Sequence, residues 1–186
     1  MTDDGIDRGA ACEAAKEGIP SVAFSGGGSL PVPFHHSGAA LHAALGVRFV
    51  QVLLLRGRTN SNEDLKSSGP ILPLNTTLNV NFPLPPLDGS CTTVDDFRFI
   101  LTRLEPVDES LSSSSSSTSS SLDFKLGGGP DVETCGTNRL PTEQSVAGMP
   151  GCTCSVTVVD GHTKKDVEAW RQREVLERLG EFLSCL

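Results

Sequence analysis

Asp3 and Asp4 stand side by side in the string Thr2-Asp3-Asp4-Gly5-Ile6. Adjacent carboxylates suit a hard divalent cation, because ionised oxygens offset its charge and bridge it to a phosphate oxygen. Solvated acids at a chain end are the other reading of the same pair. A second string, Ser25-Gly26-Gly27-Gly28-Ser29, offers backbone amides to a phosphate if it joins a strand to a helix. It lacks the lysine and the spacing of a P-loop, so a glycine-rich surface loop competes with the cradle. His35 and His36 are adjacent and His42 lies six residues on, spacings that gather no ligand pair as i, i+4 does. The three read as surface or half-buried side chains. Cys152-x-Cys154, with Cys135 upstream, is not the knuckle spacing of zinc sites, so disulfides are expected among the six cysteines. Alternation along a strand would let Cys135 reach Cys152 or Cys154, and Cys91 could then meet Cys185, with all 15 pairings open. Cysteine-phosphatase spacing and the Gly-x-Ser-x-Gly elbow are both absent.

These residues need elements to hold them. Residues 9 to 18 are rich in Ala with Glu and Lys and predict a short helix that Gly18 ends. Ile19-Pro20 then turns the chain into Ser21-Val22-Ala23-Phe24-Ser25, a run expected for a buried parallel strand. From His35 to Leu55, helical spacing runs through Ala39, Leu41, Leu45, Phe49 and Val52. Leu78, Val80 and Phe82 alternate with Asn79 and Asn81, and Phe97 to Leu104 is a second β-prone run. Residues 110 to 121 are almost pure serine and predict a disordered loop. Cys152 to Val159 alternates as a strand. Thr163 is expected to cap a last helix whose stripe is Val167, Trp170, Val175, Leu176, Leu179, Phe182 and Leu183.

With 186 residues, of which 37% are hydrophobic, the chain fits one domain with a modest core. A net charge of -8 without a basic cluster argues against nucleic acid and anionic membrane surfaces as partners. The longest apolar run, Val50 to Leu55, is interrupted by Gln51 and falls short of a bilayer span. The cysteines, the sequon Asn75-Thr76-Thr77 and the serine tract suit a secretory environment. The first twenty residues carry no secretory signal, so an extracellular parent with a longer amino terminus is the expectation.

Three passages carry a resemblance. Gly9-Ala10-Ala11 with Glu17-Gly18-Ile19-Pro20-Ser21-Val22-Ala23-Phe24-Ser25-Gly26 is the first. Leu78-Asn79-Val80-Asn81-Phe82-Pro83 is the second, and Thr102-Arg103, Thr142-Glu143 and Gly151 to Val158 form the third. In this order they resemble the SurE-like phosphatase/nucleotidase family, most closely its fungal secreted acid phosphatases. The resemblance implies a single partial domain over residues 1–186. Its fold would be a three-layer α/β Rossmann-like one with a mostly parallel sheet, incomplete at its amino-terminal part. It also implies metal-dependent hydrolysis of small phosphate monoesters such as nucleoside monophosphates, with Mg or Mn as the ion and a homo-oligomeric parent. The family binds its ion through an Asn-Asp-Asp-Gly motif, a loop serine and a Ser-Gly-x-Asn-x-Gly asparagine. Here Thr2 replaces the first Asn and the last loop does not occur. Asp3 and Asp4 are thus the implied catalytic and metal-binding residues of a truncated chain with weak or no turnover. The alternative is a non-catalytic, secreted, disulfide-stapled binding module.

Overall fold

The computed structural model describes residues 4–27, 37–56, 70–84, 90–104 and 130–186. Asp3, Gly28, Ser29, His35, His36 and the serine tract lie outside these residues. Helix α1 (Asp4–Lys16) begins earlier than its alanine-rich run predicts. Gly18 stops it at φ 73°, a left-handed conformation that glycine adopts without a Cβ penalty. The Ile19 amide closes the turn on the Ala14 carbonyl at 3.0 Å, and the chain reverses into β1 (Ser21–Gly26). Then come α2 (Ser37–Arg56), β2 (Thr76–Phe82), β3 (Arg98–Thr102), α3 (Glu143–Ala147), β4 (Thr153–Asp160) and α4 (Ala169–Leu179).

The strands form one sheet in the order β1-β2-β4-β3. β1–β2 and β3–β4 pair in parallel and β2–β4 antiparallel, so the chain is α/β with a mostly parallel sheet. Period-two alternation gives this sheet two different faces. Leu78, Val80, Phe82, Phe99, Leu101, Cys154, Val156 and Val158 meet Leu45, Phe49 and Leu53 of α2 and Val175 and Leu179 of α4 in the main core. Phe49 is fully buried, with ring centroids 5.8 Å from Phe24 and 5.5 Å from Phe99. The opposite face carries Thr77, Asn79, Asn81, Ser155 and Thr157. There α1 docks through a hydrogen bond from the Ser21 hydroxyl to the Ala11 carbonyl, and α3 through Glu143.

Several expectations need correction. β1 is not a buried strand: it pairs with β2 alone in the described sheet, and Ala23 is its one buried residue. Cys91 bonds to Cys152 and Cys135 to Cys185, leaving Cys12 and Cys154 as buried free thiols. Cys152 lies one residue before β4 rather than within it, so alternation does not decide its partner. Thr163 caps no helix, because Asp160 captures it: Oδ1 accepts from the Thr163 amide at 2.8 Å and the Thr163 hydroxyl at 3.1 Å. α4 therefore starts at Ala169, which turns Trp170 outward to 57% exposure, with the Arg171 guanidinium 5.5 Å from its ring centre. Within α2, Gly38–Leu55 has a mean hydropathy of 1.6 and is long and apolar enough to cross a bilayer, although the sequence shows no unbroken apolar run. In the fold its Leu45, Phe49 and Leu53 stripe packs on the sheet. In the sequon Asn75 is half-buried, while Thr76 and Thr77 are buried in β2, with the Thr77 hydroxyl on the Ser21 carbonyl.

Asp160 also accepts from Arg171 Nη1 at 2.6 Å. Burial alone would raise its carboxyl, but bonds from the Thr163 amide, Arg171 and the Thr163 hydroxyl outweigh it and hold the group below the ordinary aspartate range. A carboxylate depressed by folding adds stability above its unfolded pKa, and that stability fades as pH falls through the folded value. Between pH 7 and about 4 its contribution is therefore constant, and it declines below about pH 4. Urea midpoints for the wild type and Asp160→Asn are expected to differ at pH 6 and converge toward pH 2. A gap that widened on acidification would contradict this assignment.

Candidate functional site

Parallel strands leave a crevice beyond their carboxyl ends, where ligands of open α/β sheets bind. β1 and β2 end together at Gly26 and Phe82, which are register partners. α1 runs antiparallel to β1 across a tight turn, so its first turn, with Asp4, lies toward this same end of the sheet. Asp3 precedes it, outside the described residues.

A row of polar side chains crosses the sheet here. The Ser25 hydroxyl donates to Asn81 Oδ1 at 2.5 Å, and Asn81 Nδ2 donates to the Ser155 hydroxyl at 2.9 Å. The row arises from register: Ser25 pairs with Asn81 across β1–β2, and Asn81 with Ser155 across β2–β4. Thr153, two residues before Ser155 on the same face, is 4% exposed, and its hydroxyl has no partner among the described residues. A buried hydroxyl without a partner costs about 1–3 kcal/mol, which marks Thr153 as an unspent donor beside the row. Deeper in the same face, Asn79 Nδ2 donates to Glu143 Oε1 at 2.6 Å.

Of the glycine-rich string, the structure describes Ser25, Gly26 and Gly27. The Gly27 amide donates to the Phe82 carbonyl at 2.7 Å and so belongs to the sheet. A Cβ on Gly27 would lie 2.6 Å from the Leu84 amide nitrogen, so glycine is required by backbone approach. His42 is half-buried, as expected, with Nε2 3.0 Å from the Pro83 carbonyl.

Cysteine chemistry finds no footing in the described residues. Burial pushes the Cys154 thiol up to about 12. Burial also raises Cys12, against the opposing pull of Lys164, Arg8 and Lys16. Both thiols therefore stay protonated at neutral pH.

For a divalent ion, Ser25, Asn81, Ser155 and Thr153 offer neutral oxygens of the kind hard cations accept. Among the described residues no group of three or more His, Cys, Asp and Glu side chains is arranged to hold a metal ion. The negative charge for such a site would come from Asp3 and Asp4. The sequence points to the acid pair and, through the glycine-rich string, to Ser25, whereas Asn81, Ser155 and Thr153 gain a place in the site only from the fold. Membership of the last two depends on β4 lying beside β2, and the strand alternation of β4 was the only local signal. No protein-family model matches the chain, and no curated protein or solved structure matches it.

Proposed function

We propose that the chain is a SurE-like, Rossmann-like scaffold whose carboxyl-end crevice takes small phosphate monoesters, with metal-dependent hydrolysis that is weak in this chain. The observation that carries this reading is the polar row from Ser25 through Asn81 to Ser155, with the unpartnered Thr153 hydroxyl beyond it, at the sheet end toward which α1 directs Asp4. Asp3 and Asp4 would hold a Mg or Mn ion, which when bound polarises a phosphoryl oxygen and acidifies a water. Hydroxyls of Thr153 and Ser155 would donate to the remaining phosphoryl oxygens. Water oxygen bonds to phosphorus, the ester oxygen leaves, and the water's proton ends on the departing alcohol. Turnover is weak because Thr2 stands where the family motif has its Asn, and misplacement of the ion by about 1 Å costs about a hundredfold in rate.

The test is phosphate release from an aryl phosphate and from a nucleoside monophosphate, with Mg or Mn and with chelator. Slow, chelator-sensitive release that Asp3→Ala or Asp4→Ala lowers about a hundredfold supports the reading. Release that ignores both substitutions removes the acid pair from the site.

A second reading, the secreted disulfide-stapled binding module, has its own support. Asn81 already spends both ends of its amide within the row, and two disulfides fasten the segments around β3 and β4. Disulfides of this kind suit an oxidising compartment. Absence of any metal-stimulated release, together with no Mn binding by calorimetry, would favour it.

A further inference from the structure

We infer that the outer edge of β3 carries a binding slot for one neutral, extended peptide unit flanked by apolar groups. β3 is the last strand of the described sheet, yet both ends of its outer edge are occupied. At the start, the Ser184 amide donates to the Phe99 carbonyl at 2.7 Å, in a parallel bridge between Phe99 and Leu183. At the end, the Arg103 amide donates to the Pro141 carbonyl at 3.0 Å and the Glu143 amide to the Arg103 carbonyl at 2.8 Å, again parallel. The Arg98 amide instead faces β4, donating to the Cys152 carbonyl. Backbone groups alternate sides with period two, so Leu101, midway between Phe99 and Arg103, also faces outward.

A continued ladder would bond the Leu101 amide to the Ser184 carbonyl. That bond is not made among the described residues, because Cys185 leaves the edge to join Cys135. What remains is a one-residue gap between two parallel segments, with the amide and carbonyl of Leu101 at its floor. A cavity of about 600 Å³ opens over this gap, within the range of small-molecule sites. Its walls are largely apolar, including Leu140, Pro141, Leu176 and Leu183. Arg139 and Glu181 give the lining one charge of each sign, which favours a neutral occupant.

The flanking geometry dictates the ligand. Continuing the parallel pattern, the Leu101 amide takes a carbonyl from the unit before the central residue, and the Leu101 carbonyl takes an N–H from the unit after it. The smallest molecule with both groups and an apolar side chain is a blocked amino acid such as N-acetyl-leucine N-methylamide. This slot shares no residue with the row at Ser25, Asn81 and Ser155, so its fate is separate from that of phosphate hydrolysis.

The experiment titrates the intact, oxidised chain with N-acetyl-leucine N-methylamide and follows backbone amide resonances. Saturable shifts centred on Leu101, Ser184 and Leu183 are expected. The N,N-dimethylamide, which lacks the donating N–H, should bind about tenfold more weakly, equivalent to about 1.4 kcal/mol. Equal affinity for the two compounds overturns the slot, as does the absence of shifts at Leu101 up to about 10 mM.

Discussion

Asp131→Ala is expected to lower the unfolding free energy by about 3–5 kcal/mol, the cost of breaking a buried ion pair by removing one member. Asp131 and Arg103 pair at 2.9 Å with side chains 3% and 2% exposed, so almost no water reaches either. The carboxylate also accepts from the Leu140 amide and from Gln172 Nε2, each at 2.9 Å. Gln172 in turn accepts from the Val132 amide at 2.7 Å, and Asp166 lies 3.7 Å from Arg103 while accepting from the Leu104 amide. One side chain thus joins the end of β3, the segment before α3 and helix α4. In urea, with a slope of about 1–3 kcal/mol per molar, the midpoint should fall by at least about 1 M. The double variant Arg103→Met/Asp131→Leu removes both charges of the pair but leaves the Leu140 amide and Gln172 Nε2 without their acceptor, so it should recover only part of the loss. A single-variant cost below about 1 kcal/mol would mean that solvent reaches this pair after all.

Removing the disulfides should be as damaging. Cys91–Cys152 closes a loop with a sequence separation of 61 and Cys135–Cys185 one of 50. The chain-entropy model assigns each about 4 kcal/mol of stabilisation through the unfolded state. Both together approach the whole stability of an ordinary domain, about 5–15 kcal/mol. The variants Cys91→Ser/Cys152→Ser and Cys135→Ser/Cys185→Ser are each expected to lower Tm by roughly 8–16 °C, at 2–4 °C per kcal/mol for a chain of this size. With all four replaced, the near-ultraviolet signal of Trp170 at 37 °C should be that of an unfolded chain. A Tm unchanged within about 3 °C for either pair would show that its ring constrains little, contrary to the loop-closure argument.

Local patterns made most elements legible and almost none of their neighbours. β2 and β4 announce themselves because every second residue is apolar, and α2 because Leu45 and Phe49 recur at helical spacing. The strand order does not follow from such patterns, since nothing local places residues 153–160 between Asn81 and Leu101. The disulfide pairing depends on that order, which is why the sequence leaves all 15 pairings open. α3 escaped notice because five residues are too few for periodicity, although Thr142 accepting from the Ser145 amide marks its start. The last helix was drawn too early because Thr163 and Asp166 look like a capping pair locally. In the fold each serves another partner: Asp160, three residues back, for the first and the distant Leu104 amide for the second. The candidate site divides the same way. Ser25 stands out in the glycine-rich string, whereas Asn81 and Ser155 join it only through cross-strand register.

The interior position of β4 has a consequence for synthesis. Ribosomes deliver β1, β2 and β3 long before the strand that must lie between the last two. Until Thr153 to Asp160 emerges, the edges of β2 and β3 that β4 will cover have no permanent neighbour, and Leu78, Val80 and Phe99 wait with them. Closure of the sheet therefore waits for Thr153 to Asp160, and the chain is most vulnerable to self-association before that segment emerges.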